Sequence, residues 1–178
     1  MEGYHNKPED TAEAKDADGW LHTGDIGEVD DAGYLKITDR KKDFFKTSGG
    51  KYVAPSLIES TFKGLCPYVS QFMVYGADHN FVTALVTLDP DAIQDWADAH
   101  GIKGDYRTIV TSPQAHEMVQ HHIDTLNVNL NRWEQIKQFT ILDHDLTIED
   151  GDLTPSLKLR RKAVSEKYQE TLDAHYAG

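Results

Sequence analysis

The segment from Gly19 to Pro55 constrains the fold of this chain more strongly than any other. Its residues Ile26–Thr38, IGEVDDAGYLKIT, place two short strand-like runs on either side of an Asp-Ala-Gly turn, a pattern typical of a β-hairpin. A polar connector, Asp39–Asp43, follows the hairpin. Two short strands, Phe44–Thr47 and Lys51–Val53, are expected around a Ser-Gly-Gly loop, where glycine permits backbone angles closed to other residues. The segment therefore predicts a hairpin, a charged connector and a glycine loop in close succession.

Beyond this segment, helices and strands are expected to alternate irregularly. Pro55 and Ser112-Pro113 mark two helix starts, because proline is tolerated in the first turn and a serine hydroxyl caps it. Two more helices are expected, from about Asp91 to His100 and from Leu157 to about Tyr176. Further strands are expected at Val69–Tyr75, Val82–Leu88 and Gln138–Leu142. The predicted class is α+β, with an N-terminal hairpin strip followed by a small mixed sheet flanked by helices.

Apolar spacing predicts which face of each helix is buried. The helix after Pro55 is expected to bury Leu57, Ile58, Thr61, Phe62 and Leu65. The next helix is expected to bury Ile93, Trp96 and Ala97. The long helix after Pro113 is expected to bury Met118, Ile123, Leu126, Leu130 and Trp133. The last helix would bury some of Leu159, Ala163, Tyr168 and Leu172.

Composition restricts the class of protein. A chain of 178 residues can bury one core, or one domain with a small appendage. Its net charge of −12 argues against general nucleic-acid binding. No apolar run approaches the roughly 18 residues of a membrane span, and the polar, acidic first residues do not resemble a secretory signal. The single cysteine, Cys66, is expected to be buried and fits a cytoplasmic location, with peripheral membrane contact left open.

Basic residues are concentrated in two islands. Of 18 Lys and Arg residues, six lie between Lys36 and Lys51 and five between Lys158 and Lys167. On an acidic chain, such islands either focus a local field on an anionic ligand or form two solvated faces. The residues beside them are needed to choose between these interpretations.

Three short segments have side chains suited to a nucleotide. A carboxylate in a Gly-containing turn, as in Thr23-Gly24-Asp25, can accept hydrogen bonds from the vicinal hydroxyls of a ribose. The planar guanidinium of Arg40 suits phosphate or ribose oxygens. Lys158, just before the last predicted helix, has the reach and charge to stabilise a developing negative charge. Taken singly, each is equally an ordinary turn, connector or surface residue.

Spacing excludes two familiar sites. The loop Lys46–Lys51 lacks the four-residue spacer and the Gly-Lys-Ser/Thr ending of a Walker loop. His116 and His121 lie five residues apart, whereas a helical zinc motif needs histidines at i and i+4. We therefore expect no metal site built from this chain alone.

In this order, the segments resemble the C-terminal portion of the adenylate-forming superfamily, which includes acyl-CoA synthetases, firefly-type luciferases and peptide-synthetase adenylation domains. The resemblance covers nearly the whole chain and is strongest in GWLHTGDIGEVDDAGYLKITDRKKDFFKTSGGKYVAPSLIE. The later segment DLTPSLKLRRKAV is most similar to the long-chain fatty acyl-CoA synthetases. The resemblance implies that residues 1–38 are a remnant of a large N-terminal domain, 39–43 a hinge, and 44–178 a mobile C-terminal lid domain.

The resemblance also implies roles for individual residues. Asp25 would bind the ribose hydroxyls of ATP and of the AMP-containing intermediate, and Arg40 would contact the same nucleotide. Lys42 would be the hinge residue. Gly49 and Gly50 would line the path of the pantetheine arm.

Two lysines would take part in the chemistry. Lys46 would aid the second half-reaction, and Lys158 would reach the carboxylate and the α-phosphate during adenylation. Many members of the superfamily have glycine directly before this lysine, whereas Leu157 stands there in this chain. Lys162 is the alternative, but it would lie a turn into the last helix and point elsewhere.

These roles imply a fatty acid–CoA ligase that uses ATP, Mg²⁺ and coenzyme A, of which this chain is a C-terminal fragment. Without its partner, the N-terminal adenylation domain, the fragment is expected to be inactive. Two alternatives remain open. The chain is a stand-alone regulatory or binding module, or it is part of a fatty acyl-AMP or carrier-protein ligase in which coenzyme A is not the acceptor.

Overall fold

The computed structural model describes residues 1–41 and 43–177, without the side chains of residues 38–40. The chain divides into two compact units, Met1–Phe44 and Phe45–Gly178. Lys42, predicted as the hinge residue, lies outside the described residues. Within the described ranges, no helix combines the length and apolar character that crossing a membrane requires.

In the first unit, a short helix precedes the predicted hairpin. Helix α1, Pro8–Ala14, begins with a proline in its first turn. The sequence did not reveal it because PEDTAEA has no apolar stripe. Strand β1, Asp25–Val29, pairs antiparallel with β2, Leu35–Arg40, which confirms the hairpin. The carboxylate of Asp30 shapes the turn between them by accepting the backbone N–H of Tyr34 at 2.8 Å.

The apolar side chains of this hairpin are exposed. Val29 and Leu35 are each 67% exposed and Ile37 is 55% exposed. Neither α1 nor β1 contains a buried residue. The hairpin therefore depends on its backbone hydrogen bonds and turn chemistry, which by themselves give marginal stability in water.

Two sheets lie in the described part of the second unit. Strands β3, Phe45–Lys46, and β4, Tyr52–Val53, form a small antiparallel pair around the glycine loop. The main sheet contains β5, Val69–Tyr75, β6, Val82–Leu88, and β7, Ile136–Ile141. Its central strand β6 pairs antiparallel with β5 and parallel with β7. The predicted small mixed sheet is confirmed.

Six helices accompany these strands in the described part of the second unit. They are α2 Pro55–Leu65, α3 Pro90–Ala99, α4 Tyr106–Val110, α5 Pro113–Asn127, α6 Arg161–Lys167 and α7 Gln169–Ala174. Three of them have side-chain N-caps, because Asp89, Asp105 and Ser112 accept backbone N–H groups of the first turn. The α+β class predicted from the sequence is confirmed.

The main sheet is covered on both faces. One face packs against helices α2, α3, α4 and α5 in a core that includes Phe72, Val74, Ala84 and Val86. The opposite face contributes Met73 and Leu85 to a second cluster with Leu142, Leu146, Leu153, Val164 and Leu172. Because successive strand residues point to opposite faces, β6 supplies both cores, and all seven of its residues are buried.

Some of the predicted core positions are wrong. On α2 the predicted residues Leu57, which is 41% exposed, and Thr61 are exposed. The predicted residues Ile58 and Phe62 are buried, together with Pro55. Helix α5 ends at Asn127, so Leu130 and Trp133 lie beyond it, and Trp133 is 39% exposed. The predicted faces of α3 and of the middle of α5 are confirmed, with Trp96, Ile123 and Leu126 among the buried residues.

The single last helix predicted from Leu157 to Tyr176 is also wrong. The chain forms two short helices, α6 and α7, that meet at Tyr168, and the first begins at Arg161. Before Arg161 the backbone closes a hairpin instead, with Leu153 bridged to Leu159 and Leu157 at φ +59°. A residue in the left-handed region cannot continue a right-handed helix, and so the helix starts later.

An ion pair joins α2, the edge strand β5 and α6. The Nη2 of Arg161 lies 2.8 Å from Glu59 Oε2, and Arg161 Nη1 donates to the carbonyl of Val74 at 3.1 Å. Glu59 Oε1 accepts the backbone N–H of Val74 at 2.8 Å. Both side chains are largely buried, with 31% of Arg161 and 14% of Glu59 exposed. The pair therefore satisfies the backbone at a sheet edge and links two layers.

We expect Glu59→Gln to lower the free energy of unfolding by about 1–3 kcal/mol, since the amide removes the charge that compensates a largely buried guanidinium. The matched control is Glu166→Gln, because Lys162 and Glu166 form a pair at 3.8 Å with 90% and 68% of their side chains exposed. That change should stay within about 0.5 kcal/mol. Urea denaturation followed by circular dichroism measures both, and equal small effects would contradict the structural role of Glu59.

His175 is a buried histidine that favours its neutral form. It is 8% exposed, and its Nε2 lies 2.8 Å from Thr140 Oγ1. Its Nδ1 has no hydrogen-bond partner among the described residues. Burial lowers the pKa of His175 below that of an exposed histidine. The folded state therefore binds a proton at His175 less readily than the unfolded state does.

Because the folded pKa is the lower one, the contribution of His175 is fully present above the unfolded pKa, about 6.5, and is lost as the pH falls through the folded value. We expect the free energy of unfolding to fall between pH 7.5 and 5, and to fall less in His175→Gln. The exposed His5 provides the control, since His5→Gln should keep the wild-type pH dependence. Urea denaturation at both pH values measures the free energy of unfolding. An equal fall in this free energy for wild type and His175→Gln would contradict the prediction.

Candidate functional site

The predicted nucleotide residues Asp25 and Arg40 face each other across the first hairpin. Gly24, at φ +76°, turns the chain into β1, and its carbonyl accepts the backbone N–H of Lys41 at 2.8 Å. Thr23 Oγ1 accepts the backbone N–H of Asp25 at 3.2 Å. In the strand register, Asp25 lies opposite Arg40, whose side chain is outside the description. The antiparallel pairing thus brings two residues 15 positions apart to one end of the hairpin.

Asp25 lines a cavity within the first unit. The cavity has a volume of about 820 Å³, within the range of small-molecule sites. Its charged and polar lining includes Thr23, His22 and Lys41 beside Asp25. Its other wall comes from α1 and the residues before it, with Tyr4, Asp10 and Glu13. This arrangement can accept hydrogen bonds from ligand hydroxyls at Asp25 and attract an anionic group at Lys41.

Sequence reasoning missed the α1 wall of this cavity. The available signal was a helix start, with a proline in the first turn followed by Glu9 and Asp10, the acidic residues that favour a helix N-terminus. Because the first residues lack apolar periodicity, no functional role was predicted for them. They also carry acidic groups into the cavity, so its charge is mixed.

Backbone hydrogen bonds close the Gly49–Gly50 loop, and the space beside its two glycines is open. Thr47 donates its backbone N–H to the carbonyl of Lys51 at 2.9 Å, and Gly50 donates to the carbonyl of Thr47 at 2.8 Å. Gly50 adopts φ +74°, which favours glycine. A Cβ on Gly49 would meet nothing nearer than Thr47 Oγ1 at 3.9 Å, and one on Gly50 nothing within 4 Å. An extended ligand can therefore approach this backbone closely.

Two lysines flank the loop, each over an aromatic ring. The Nζ of Lys46 lies 4.7 Å from the ring centroid of Tyr52, and the Nζ of Lys51 lies 5.1 Å from that of Trp133. Such cation–π contacts orient the ammonium groups while leaving them hydrated. Lys46, a predicted catalytic residue, is exposed. Trp133 was predicted as a core residue of the long helix and not as part of this site, because it is far from Lys51 in the sequence.

Lys158 lies on the hairpin that Leu153 and Leu159 close, directly before α6. Its carbonyl accepts the backbone N–H of Thr154 at 2.8 Å, and its own N–H donates to Thr154 Oγ1 at 3.1 Å. The Lys158 side chain is exposed. Leu157, directly before it, adopts φ +59°. Glycine takes this backbone conformation freely, whereas leucine is strained there.

A buried carboxylate anchors the base of the Lys158 hairpin. Asp152 is 1% exposed, and its carboxylate accepts two hydrogen bonds from Lys167 Nζ, at 2.9 and 3.1 Å. The bond to Asp152 raises the pKa of Lys167. The Asp152 carbonyl accepts the N–H of Arg160 at 2.8 Å. The base is therefore fixed while Lys158 at its end faces solvent.

The predicted residues form separate groups. Asp25 and Arg40 belong to the first unit, whereas Lys46, Gly49 and Gly50 share one loop of the second. Lys158 lies on a different hairpin of the second unit. The alternative, Lys162, lies on α6 with 90% of its side chain exposed, near Glu166. Across residues 1–41 and 43–177, no group of three or more His, Cys, Asp or Glu side chains is placed to hold a metal ion.

Comparison with known proteins places these features in a family. The family described as AMP-binding enzyme C-terminal domain matches residues 42–178. Long chain acyl-CoA synthetase 6, peroxisomal, of Arabidopsis thaliana is 39% identical over 98% of this chain, which spans 25% of that protein. Long-chain-fatty-acid–CoA ligase FadD15 of Mycobacterium tuberculosis is 37% identical over 98% of this chain, which spans 29% of it. The chain thus spans less than a third of these curated relatives.

Solved structures of similar fold carry adenylation domains. The adenylation domain of the carboxylate reductase of Mycobacterium chelonae superposes with a TM-score of 0.78 at 32% identity, over 99% of this chain and 26% of that one. The A-PCP didomain of the carboxylic acid reductase of Segniliparus rugosus, in complex with AMP, superposes with a TM-score of 0.74 at 31% identity. The match covers 98% of this chain and 23% of that one. Since the family match covers most of the chain, this protein belongs to the family of AMP-binding enzyme C-terminal domains.

Proposed function

We propose that this chain is the mobile C-terminal part of an ATP-dependent long-chain fatty acid–CoA ligase. One observation carries the proposal: an exposed lysine, Lys158, and an open glycine loop, Gly49–Gly50, lie on two separate hairpins of one compact unit. A single domain with two such elements can present each in turn to the same reaction centre. The relatives named as long-chain fatty acid–CoA ligases support this choice of reaction.

The proposed reaction has two steps. First, an oxygen of the fatty carboxylate attacks the α-phosphorus of ATP, and pyrophosphate leaves. Then the thiolate of coenzyme A attacks the acyl carbonyl carbon, and AMP leaves with the electrons of the broken acyl–phosphate bond. In the first step the ammonium of Lys158 would donate hydrogen bonds to the carboxylate and α-phosphate oxygens, where negative charge is shared. Asp25 would accept hydrogen bonds from the two ribose hydroxyls.

Magnesium would accompany ATP and neutralise phosphate charge when bound. Proteins commonly hold Mg²⁺ with one or two carboxylates together with substrate phosphates. We therefore propose that Mg²⁺ is held mainly by the phosphates of ATP, with no more than one or two carboxylates from the protein.

In the second step the Gly49–Gly50 loop would form part of the path of the pantetheine arm. The absence of side chains would allow the thiol-bearing arm to pass close to the backbone. Lys46, beside the loop, would stabilise negative charge during thiol transfer. Lys46 and the two glycines share one loop, whereas Lys158 lies on another hairpin. A change of domain orientation would therefore bring the loop to the reaction centre in place of Lys158.

We place the hinge for this change at residues 39–43, with Lys42 at its centre. Residues 1–38 would then belong to the preceding large domain and residues 44–178 to the moving lid. The apolar side chains exposed on the hairpin, such as Val29 and Leu35, would pack against that large domain. Its adenylation machinery is the partner that the proposal requires.

We expect Lys158→Ala to slow acyl-adenylate formation by about 100-fold or more while leaving thioester formation from supplied acyl-adenylate nearly unchanged, because the lysine acts only in the first step. A suitable enzyme is FadD15 in which this chain replaces the matching 29% of the sequence. Pyrophosphate exchange measures the first step, and thioester release measures the second. Lys162→Ala is the matched control and should change neither rate.

Gly49→Leu in the same chimera should show the reverse pattern, since a side chain on the loop would obstruct the thiol and leave adenylation intact. Gly64→Leu is its control, because Gly64 also faces open space but lies on α2. Equal losses in both steps for Lys158→Ala and Gly49→Leu would remove the two assigned roles. The 178-residue chain alone should form no thioester, and turnover by it would overturn the assignment as a dependent domain.

A second candidate acceptor is a carrier-protein thiol. The similarity to the A-PCP didomain of a carboxylic acid reductase, at a TM-score of 0.74, favours considering it. The first step would be unchanged, but a phosphopantetheinyl arm on a protein would then follow the Gly49–Gly50 loop. Supplying the chimera with coenzyme A or with a carrier protein that bears a free phosphopantetheinyl thiol separates the two acceptors.

We also propose a cytoplasmic location, with contact to a membrane surface as a possible source of fatty acid. The free, buried Cys66 fits a reducing compartment, and burial raises the pKa of its thiol. The name of the Arabidopsis relative places that protein in peroxisomes, which makes peroxisomes the competing location.

A further inference from the structure

Hydrogen bonds connect the glycine loop to the turn between β5 and β6. The backbone N–H of Ser48 donates to the carbonyl of His79 at 2.9 Å, and Ser48 Oγ donates to Asn80 Oδ1 at 2.7 Å. In the opposite direction, the N–H of Asp78 donates to the carbonyl of Lys46 at 2.8 Å. These bonds connect segments about 30 residues apart, so the position of the loop depends on the conformation of this turn.

The turn itself has an uncommon backbone. Gly76 adopts φ +155°, and a Cβ there would lie 2.9 Å from the carbonyl oxygen of Phe81. Asp78 adopts φ +61°, a conformation that side-chain-bearing residues seldom take. One hydrogen bond within the turn joins the N–H of His79 to the carbonyl of Gly76 at 3.1 Å. Such conformations persist where surrounding groups enforce them.

Tyr176, two residues after α7, supplies that support. Its ring stacks on His79 with centroids 3.7 Å apart and planes 14° apart. Its hydroxyl lies 3.2 Å from the carbonyl oxygen of Phe81 and 3.2 Å from Thr83 Oγ1. Burial raises the pKa of Tyr176 to about 12, so the hydroxyl keeps its proton at neutral pH and remains a donor. The hydroxyl also lies 3.4 Å from the carbonyl oxygen of Tyr75, so that one side chain contacts both ends of the turn.

We propose that Tyr176 is a positioning residue for the loop of residues 47–51: by clamping His79 and the start of β6, it fixes the turn that holds Ser48 and, through it, Gly49 and Gly50. Tyr176 touches neither glycine. The function of the loop as the path of a thiol rests on the proposed function, whereas the coupling between Tyr176 and the loop rests only on the contacts within the second unit.

Amide hydrogen exchange of the 178-residue chain tests this coupling by NMR. In Tyr176→Leu, which loses both the stacked ring and the hydroxyl, we expect the N–H groups of Ser48 and Asp78 to exchange about tenfold faster or more, since they would open locally. Tyr176→Phe keeps the stacked ring and should have a smaller effect. The N–H of Leu142, bonded to Val86 in the main sheet, should keep its protection.

Tyr68→Leu is the matched control, since Tyr68 also contacts a histidine ring, that of His122, but lies away from this turn. It should leave the exchange of Ser48 and Asp78 unchanged relative to Leu142. Asn80→Ala provides a second variant, and should accelerate Ser48 without disturbing Leu142.

Unchanged exchange of Ser48 and Asp78 in Tyr176→Leu would overturn the proposal. A uniform acceleration that includes Leu142 would overturn it as well, since Tyr176 would then serve only global stability. The measurement uses no nucleotide, fatty acid or coenzyme A. The exchange result therefore does not depend on whether the proposed enzymatic function is correct.

Discussion

The burial of strand β6 on both faces is the constraint on which the second unit depends. Ala84 and Val86 complete the core beneath α2 and α5, while Leu85 completes the cluster that contains Leu153. The turn that precedes β6 holds the glycine loop, and Leu153 opens the Lys158 hairpin. Both candidate functional elements are therefore attached to one strand. Burying an aliphatic side chain of this kind contributes about 1.5–3 kcal/mol, which gives the loops a rigid base.

The groups with candidate functions are exposed, and the groups that hold them in place are buried or paired. Lys158 faces solvent, while the hairpin base is held by the buried carboxylate of Asp152, which is paired with Lys167. Gly49 and Gly50 have open space beside them, while Ser48 is bonded to the neighbouring turn. This division suits a domain that must present reactive groups to another surface without reorganising them. It also reconciles a net charge of −12 with local basic chemistry.

Local patterns predicted much of this fold. Strands β5 and β6 were predicted with their observed limits, because turn residues bound each apolar run. The Ser112 cap was also predicted correctly. The start of the last helix was predicted wrongly, because the local backbone conformation there overrides the apolar periodicity. Leu157 has a positive φ, and the helix therefore starts at Arg161. The parallel pairing of β6 with β7 joins residues about 55 positions apart, a contact that no local pattern contains.

The candidate site was predictable as a set of motifs and not as a geometry. The order of Asp25, the glycine loop and Lys158 pointed to the family, which the match to residues 42–178 establishes. The roles of Asp25, Arg40, Lys46, Gly49, Gly50 and Lys158 stay predictions, as does the hinge at Lys42. The support given by Tyr176, and the placement of Trp133 beside Lys51, depend on contacts between distant segments.

We propose that the second unit turns to present two faces to one reaction centre. The most direct test is a distance between Ser156→Cys, at the tip of the Lys158 hairpin, and a labelled cysteine in the large domain of the FadD15 chimera. Buried Cys66 leaves the introduced surface cysteine as the label site on this chain. Double electron–electron resonance should give one distance with ATP and fatty acid and a clearly different one with acyl-adenylate and coenzyme A. A single distance shared by both states would contradict the claim.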